Sequence, residues 1–340
     1  MKKSLRLALL AVLSVLAVTA GVALGSTQIS PSVQLAVLMN KLFGTALPEG
    51  LSSVTPSILW NLRFPRALMA FAVGASLAAS GTVMQSVLRN PLASSYTLGV
   101  SSGASLFAAV VIVTGFNPLG RYTLPLSGFV GGLITVFLAM SLALRFDRNL
   151  ENQTVILVGM VLSLFVNALL TLVTALAADR LARLIYWQMG SFSGATWSNV
   201  GLQYGILGLC LVALERYALE MDLMTFGEEQ ALSSGVDLKR VKLILIGLSA
   251  LLTGTAVSLV GVIGFVDLIA PHVVRRFFGS GHPWVMPASA LFGGLLMVLA
   301  DLASRTVLAP QELPVGAVTA IIGAPFFAWI YFKRKRGGGA

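Results

Sequence analysis

The sequence predicts an all-α polytopic membrane protein of ten transmembrane helices, folded as a single transmembrane domain over residues 1–340. Three observations predict it. The chain is 56% hydrophobic and only 11% charged, with a mean hydropathy of +0.88. A soluble chain carries roughly twice that charged fraction, so this one has too little polar surface to cover a globule, and lipid must solvate most of it. Apolar runs near the ~20 residues needed for one crossing recur along the chain. Lys and Arg gather in alternate connections between those runs.

The runs lie near 7–26, 67–88, 93–114, 123–144, 154–177, 199–214, 241–260, 285–304 and 314–332. A shorter stretch, 262–274, holds Asp267, Pro271 and His272 and reads by hydropathy as either a re-entrant segment or a short crossing. Charge decides between them. With ten spans and a cytoplasmic start, only Lys41, Arg63, Arg66, Arg121, Arg180, Arg183 and Arg305 fall outside, and every other Lys and Arg falls inside. Without the short crossing, the tail Lys333–Arg336 would lie outside, against that bias. Both termini are therefore expected in the cytoplasm. The start, Met1–Ser26, also has the order of a signal peptide, but its apolar run is long for one, and it is read as the first helix.

Two connections are not ordinary. Residues 27–62 form a long external segment with Pro31, Pro48, Gly50 and Pro56. Residues 215–240 form the largest internal loop and hold six of the 13 acidic residues, Glu215, Glu220, Asp222, Glu228, Glu229 and Asp237, which marks a docking surface. The formal charge of +10 is spread between apolar runs rather than along one face, so it reads as membrane orientation, with lipid rather than nucleic acid as partner. The single cysteine, Cys210, excludes a disulfide framework within the chain.

At an offset of 180 residues the chain matches itself at punctuating positions: Gly74 with Gly254, Gly81 with Gly261, Pro91 with Pro271 and Gly99 with Gly279. The two copies, about 60–180 and 240–332, would run in opposite directions across the membrane. Inverted repeats interrupted by Gly or Pro at matching places point to transporter architecture.

At these breaks the sequence resembles the FecCD-type family, the permease subunits of bacterial ABC importers for iron–siderophore complexes, haem and cobalamin. The residues that carry the resemblance are Leu62-Arg63-Phe64-Pro65-Arg66, Gly81 with Gln85, Arg89-Asn90-Pro91-Leu92-Ala93 and Leu98-Gly99-Val100-Ser101-Ser102-Gly103-Ala104. They continue with Trp187-Gln188-Met189-Gly190-Ser191, Gly227-Glu228-Glu229-Gln230-Ala231, Gly235-Val236, Gly264-Phe265, Pro271-His272, Asp301 with Arg305, Glu312-Leu313-Pro314-Val315-Gly316 and Gly323-Ala324-Pro325-Phe326-Phe327. Asp267 departs from the family, which has glycine there. A carboxylate at that depth is costly. It is expected to face the pore or pair with a cation, and to disturb close backbone packing.

The resemblance implies a type II ABC importer permease in the bacterial inner membrane: a homodimer served by two cytoplasmic ATPase subunits and an external substrate-binding protein. No G-x-x-x-x-G-K-[ST] loop occurs, so a separate chain must use the ATP, and no cofactor or metal is expected in this one. The resemblance makes Thr225–Asp237 the coupling helix, with Thr225, Gly227, Glu228, Glu229, Ala231 and Gly235 as coupling residues. It makes Arg63, Arg66 and Arg305 docking arginines for acidic lobes of the binding protein, although local pairing such as Arg305 with Glu312 would explain them as well. Gln85, Asn90, Pro91, Ser101, Ser102, Asn167, Asp267 and His272 are the candidates for the translocation path, and each also suits an interhelical hydrogen bond. A lone histidine is poor evidence for a metal site. The competing reading is an ion-coupled secondary transporter with Asp267 as coupling site, which leaves the acidic loop unexplained. An intramembrane enzyme using Asp267, His272 and Asp301 lacks any supporting spacing.

Overall fold

The computed structural model describes residues 2–25, 29–48, 50–52 and 54–337. Among these, every regular element is helical, in the order α1 (Lys3–Ala23), α2 (Pro31–Phe43), α3 (Val54–Ile58), α4 (Phe64–Val87), α5 (Val100–Thr114), α6 (Thr123–Phe146), α7 (Asn152–Ala175), α8 (Leu181–Gln188), α9 (Trp197–Glu215), α10 (Ala218–Phe226), α11 (Glu228–Ser233), α12 (Leu238–Val260), α13 (Val266–Phe278), α14 (His282–Thr306) and α15 (Val315–Gly337). Seven stretches are long and apolar enough to cross a bilayer: α1, Val54–Val87, Gly120–Phe146, α7, α9, α12 and α14. The other three expected crossings fall on the shorter helices α5, α13 and the apolar part of α15, Val315–Phe326. At ~1.5 Å per residue, a helix as short as α13 spans ~20 Å, less than the ~30 Å hydrocarbon core. Helices thus stand at all ten expected places, and length supports seven of them as full crossings. Ser26, the last residue of the signal-like start, and the side chains of Lys333–Arg336 lie outside the described residues.

The described parts of the segment 27–62 are more ordered than its prolines imply. Pro31 sits at the first position of α2, where no N–H is needed, and Gly44 closes that helix in the left-handed region at φ 70°. Further on, α3 runs through a π-helical turn, Leu59–Arg63, straight into α4. Pro65 offers no N–H to the carbonyl of Asn61 and crowds it, and the widened turn before it absorbs that mismatch. The second crossing therefore begins near residue 54 rather than 67.

The two breaks are real but differ from each other. After α4 the chain leaves helical geometry over 88–99, apart from one 3₁₀ turn, Ser95–Leu98, so α5 starts at Val100 and not near 93. After α12, Gly261 (φ 83°) and Phe265 (φ 70°) turn the chain before α13. Of the matches at an offset of 180, Gly74 and Gly254 both lie inside the long helix before a break, but the others do not share structural positions. Gly81 lies inside α4 whereas Gly261 ends α12, and Pro91 is in a loop whereas Pro271 is inside α13. Both halves do keep one order, a long helix, a break, a short helix and then longer ones.

Helix α4 is the core. It packs on α14, α12, α13 and α9, and its glycines set the distances. A Cβ on Gly74 would run into the Gly293 carbonyl of α14, and one on Gly81 into the Asp267 carbonyl of α13. Lipid offers no hydrophobic driving force between helices, so close backbone approach through small residues carries the packing instead.

Candidate translocation path and its two polar ends

Where α1 and α14 end and α4 begins, three arginines gather, and two of them share two acids. Arg63 Nη1 donates to the carbonyls of Val22 and Ala23, 3.0 Å each, which the end of α1 leaves without intrahelical partners. Arg66 chelates Asp301 (Nε–Oδ1 3.0 Å, Nη2–Oδ1 2.9 Å) and also Glu312 (Nη1–Oε1 2.8 Å, Nη2–Oε2 3.0 Å). Arg305, one turn after Asp301 on the same face of α14, stands 3.4 Å from it and donates to the Gly21 carbonyl. The Asp301 side chain is 2% exposed and that of Glu312 45%. Arg66 holds the Glu312 carboxyl below its ordinary range. The three arginines were expected to reach outward for docking; they turn inward, because freed carbonyls and a buried carboxylate attract a guanidinium more strongly than water-exposed surface does. Glu312 pairs with Arg66 and not with Arg305.

Deeper in the bundle, the two breaks touch. Ser94 donates its hydroxyl to Asp267 Oδ2, and Tyr96 donates its phenol to the Ile263 carbonyl at 2.6 Å. Asp267 is 3% exposed, in the first turn of α13, where the helix dipole favours a carboxylate. Pro271 withholds the N–H that would have served the Asp267 carbonyl. Gln85 Nε2 lies 3.4 Å from that carbonyl and from the carbonyl of Leu268. Asp267 was expected to face the pore or pair with a cation, and to disturb the packing. Among the described residues no cation lies within ion-pair distance of it, and the backbone packing against Gly81 is close, since its side chain turns to Ser94.

The other path candidates do not gather at this point. Asn90 accepts from the Leu92 amide at 2.9 Å, and Pro91 is exposed beside it. Ser101 and Ser102 begin α5, half-buried and buried respectively. Asn167 lies on the exposed side of α7, and His272 is edge-on to Phe326 with ring centroids 6.5 Å apart.

At the opposite end from the arginines, 215–240 folds as two helices rather than one short helix over Thr225–Asp237. Gly227, at φ 149°, breaks them, with Thr225 on the exposed end of α10. Glu228 and Glu229 occupy the first turn of α11. Gly235, at φ 84°, closes it, as its amide bonds Leu232 and that of Val236 bonds Ala231. Ala231 is buried, while Phe226 is 73% exposed. Arg89 of the first break and residues 226–230 line one cavity of about 410 Å³.

Sequence reasoning missed several partners. Lys242 is fully buried in α12, with Nζ 2.9 Å from Glu228 and 2.7 Å from the Leu150 carbonyl. His282, at the start of α14, bonds Asp222 of α10 and Ser86 of α4, and Arg275 of α13 bonds Gln85. The one available signal was a charge or imidazole at the border of an apolar run, as at His282.

Comparison with known proteins agrees over nearly the whole chain. The model of the FecCD transport family matches residues 10–333. The hemin transport system permease of Yersinia pestis is 37% identical over 283 residues, covering 82% of this chain and 84% of the relative. The Fe(3+) dicitrate transport system permease of Escherichia coli is 34% identical over 288 residues, covering 85% and 87%. Among solved structures, one described as an inward-facing conformation of a metal-chelate type ABC transporter superposes with a TM-score of 0.82 at 28% identity, covering 96% of this chain and 98% of that one.

Proposed function

The chain belongs to the FecCD transport family, and from that premise we propose that it is the transmembrane permease subunit of an ATP-driven importer, forming the path for a metal chelate as a homodimer. Iron(III)–siderophore is the proposed cargo, with haem and cobalamin next. The protein sits in the bacterial cytoplasmic membrane as a multi-pass chain with both termini in the cytoplasm. One observation carries the reading: the family match runs through both breaks and through the α10–α11 segment, which a transporter driven by an ion gradient has no need of.

In this reading α10 and α11 face the cytoplasm, and Thr225, Glu229 and exposed Phe226 meet a separate ATPase subunit, while Gly227, Glu228, Ala231 and Gly235 shape the helix pair behind them. An external binding protein docks at the arginine end. There Arg63, Arg66 and Arg305 build the platform by fixing the ends of α1, α4 and α14, and exposed Glu312 with the loop around it supplies surface. The path runs along the faces that carry Gln85, Asn90, Pro91, Ser101, Asn167, Asp267 and His272, where weak polar contacts suit a cargo that must not be trapped.

The test is uptake by proteoliposomes holding the permease, its ATPase and its binding protein. Ferric siderophore should accumulate only with ATP inside and should persist with an uncoupler present. Accumulation without ATP that collapses with the uncoupler would instead favour an ion-coupled transporter with Asp267 as its site, the oxygen Oδ1 of which is buried with no hydrogen-bond partner.

A further inference from the structure

A line of buried and half-buried polar side chains leads from α10 to the second break. Asp222 Oδ1 of α10 takes two bonds from His282, the backbone amide at 2.9 Å and Nδ1 at 2.5 Å. It thereby caps the first turn of α14 from a different helix. His282 Nε2 stands 2.6 Å from Ser86 Oγ of α4. Ser86 lies 2.9 Å from the Thr82 carbonyl and 3.3 Å from Arg275 Nη2 of α13. Arg275 Nη1 reaches Gln85 Oε1 at 2.5 Å, and the Gln85 amide lies 3.4 Å from the Leu268 carbonyl and from the Asp267 carbonyl that Pro271 leaves open.

Such a line is expensive. His282 is 1% exposed, Ser86 and Gln85 4% each. Apolar side chains would join the same helices at lower desolvation cost. What apolar contacts cannot supply is direction, because they slide whereas a hydrogen bond is lost within a few tenths of an ångström beyond ~3.5 Å. The other polar arm of the segment, Glu228 to Lys242, ends on the Leu150 carbonyl between α6 and α7 and does not reach the breaks. Among the described residues, no other side-chain hydrogen bond leads from α10 to the α4–α13 contact; the imidazole has oxygen partners on two sides, in two different helices.

We propose that His282 is a positioning residue that transmits displacement of the α10–α11 segment to the contact between α4 and the broken start of α13. This rests on the importer reading above and deepens it: the polar line delivers the ATPase's movement to the path.

Two substitutions separate the halves of the imidazole. His282→Asn places an amide where Nδ1 is and keeps Asp222 while losing Ser86. His282→Gln reaches the place of Nε2 and keeps Ser86 while losing Asp222. In proteoliposomes holding the complete complex, both variants should assemble and hydrolyse ATP at the basal rate, while stimulation by loaded binding protein and uptake per ATP fall about tenfold, within the range of ordinary site-to-site coupling. Ser86→Ala should reproduce the Asn variant. Wild-type stimulation in the Asn variant would reduce His282 to a local cap of α14 and overturn the proposal, and wild-type stimulation in the Gln variant would remove α10 from the line with the same result. Loss of assembly and basal hydrolysis together in all three variants would also overturn it, by showing a structural role alone. If the wild-type complex itself shows no stimulation and no uptake, it is the importer reading that fails.

Discussion

The hydroxyl of Ser94 donates to Asp267 across the contact between the chain's two irregular breaks. That bond uses one carboxylate oxygen and leaves Oδ1 buried without a partner. A buried acceptor stripped of its last donor costs about 1–3 kcal/mol. Ser94→Ala is therefore expected to lower the thermal unfolding midpoint of the detergent-solubilised protein by several degrees. Asp267→Asn should be close to neutral alone and should recover most of the loss in the Ser94→Ala background. Additive effects in that double-mutant cycle would show that the two side chains do not interact.

Arg66 holds Asp301 and Glu312 at once, and the two partners differ in burial. Arg66→Ala takes the hydrogen-bond donors from buried Asp301 and leaves it Arg305, 3.4 Å away, as its remaining cation, a loss of about 1–3 kcal/mol or more. Folded yield should collapse and return in part when Asp301→Asn is added. Replacing Arg63, Arg66 and Arg305 together by alanine is for the same reason expected to abolish assembly before any effect on docking could be read. Glu312→Gln, at a half-exposed position, should cost no more than about 1 kcal/mol.

Glu312 also gives that pair its pH dependence. Its carboxyl is held below the ordinary range by Arg66, so the folded state binds that proton less readily than the unfolded chain does. Its contribution is complete above the unfolded value of about 4.3 and is lost as pH falls through the lower folded value. The midpoint difference between wild type and Glu312→Gln should be constant from neutral pH down to about pH 5 and shrink below it. A difference that grew on acidification would contradict the pairing.

Hydropathy exposed the helices because in lipid every backbone group must be paired within the chain, so each crossing announces itself in composition. The same signal concealed the start of α4. Pro56 falls in the stretch read as an external segment, yet it stands in the first turn of α3, which runs through a π turn into α4. Gln85 and Asp267 were visible as polar residues in apolar runs, whereas Ser94, neutral in hydropathy and 173 residues from Asp267, was not. Counting charges by loop placed Arg63, Arg66 and Arg305 together at one end but could not show that helix-end carbonyls and Asp301 consume them. Asp222 and His282 lie 60 residues apart, and nothing in a linear pattern joins two groups that only the packing of α10 on α14 brings together.

Gly81 tests the close packing that Asp267 was expected to prevent. A methyl group there would meet the Asp267 carbonyl, and backbone cannot swing aside as a flexible side chain does. Overpacking of this kind costs about 1–3 kcal/mol or more. Gly81→Ala should lower the unfolding midpoint, and Gly81→Val should leave little folded protein. Gly201→Ala, at a position of α9 with open space around it, is the control and should be silent.

Lys242 and Glu228 form one pair, yet the two members are not equivalent. Lys242 is fully buried, and Glu228 keeps 27% of its side chain exposed. Lys242→Met removes a buried charge and fills its volume with an apolar chain, while Glu228 turns to water. That change should be nearly neutral or stabilising. Glu228→Ala leaves the ammonium buried with only the Leu150 carbonyl as partner, and about 1–3 kcal/mol should be lost. It also releases α11 from α12, so protease sensitivity around 226–236 should rise in that variant. Combining Lys242→Met with Glu228→Ala should restore stability without re-fixing α11. The double variant is then expected to unfold like wild type while its α11 amides exchange faster, because the ion pair orients the helix and the burial of Ala231 and Leu238 holds the fold.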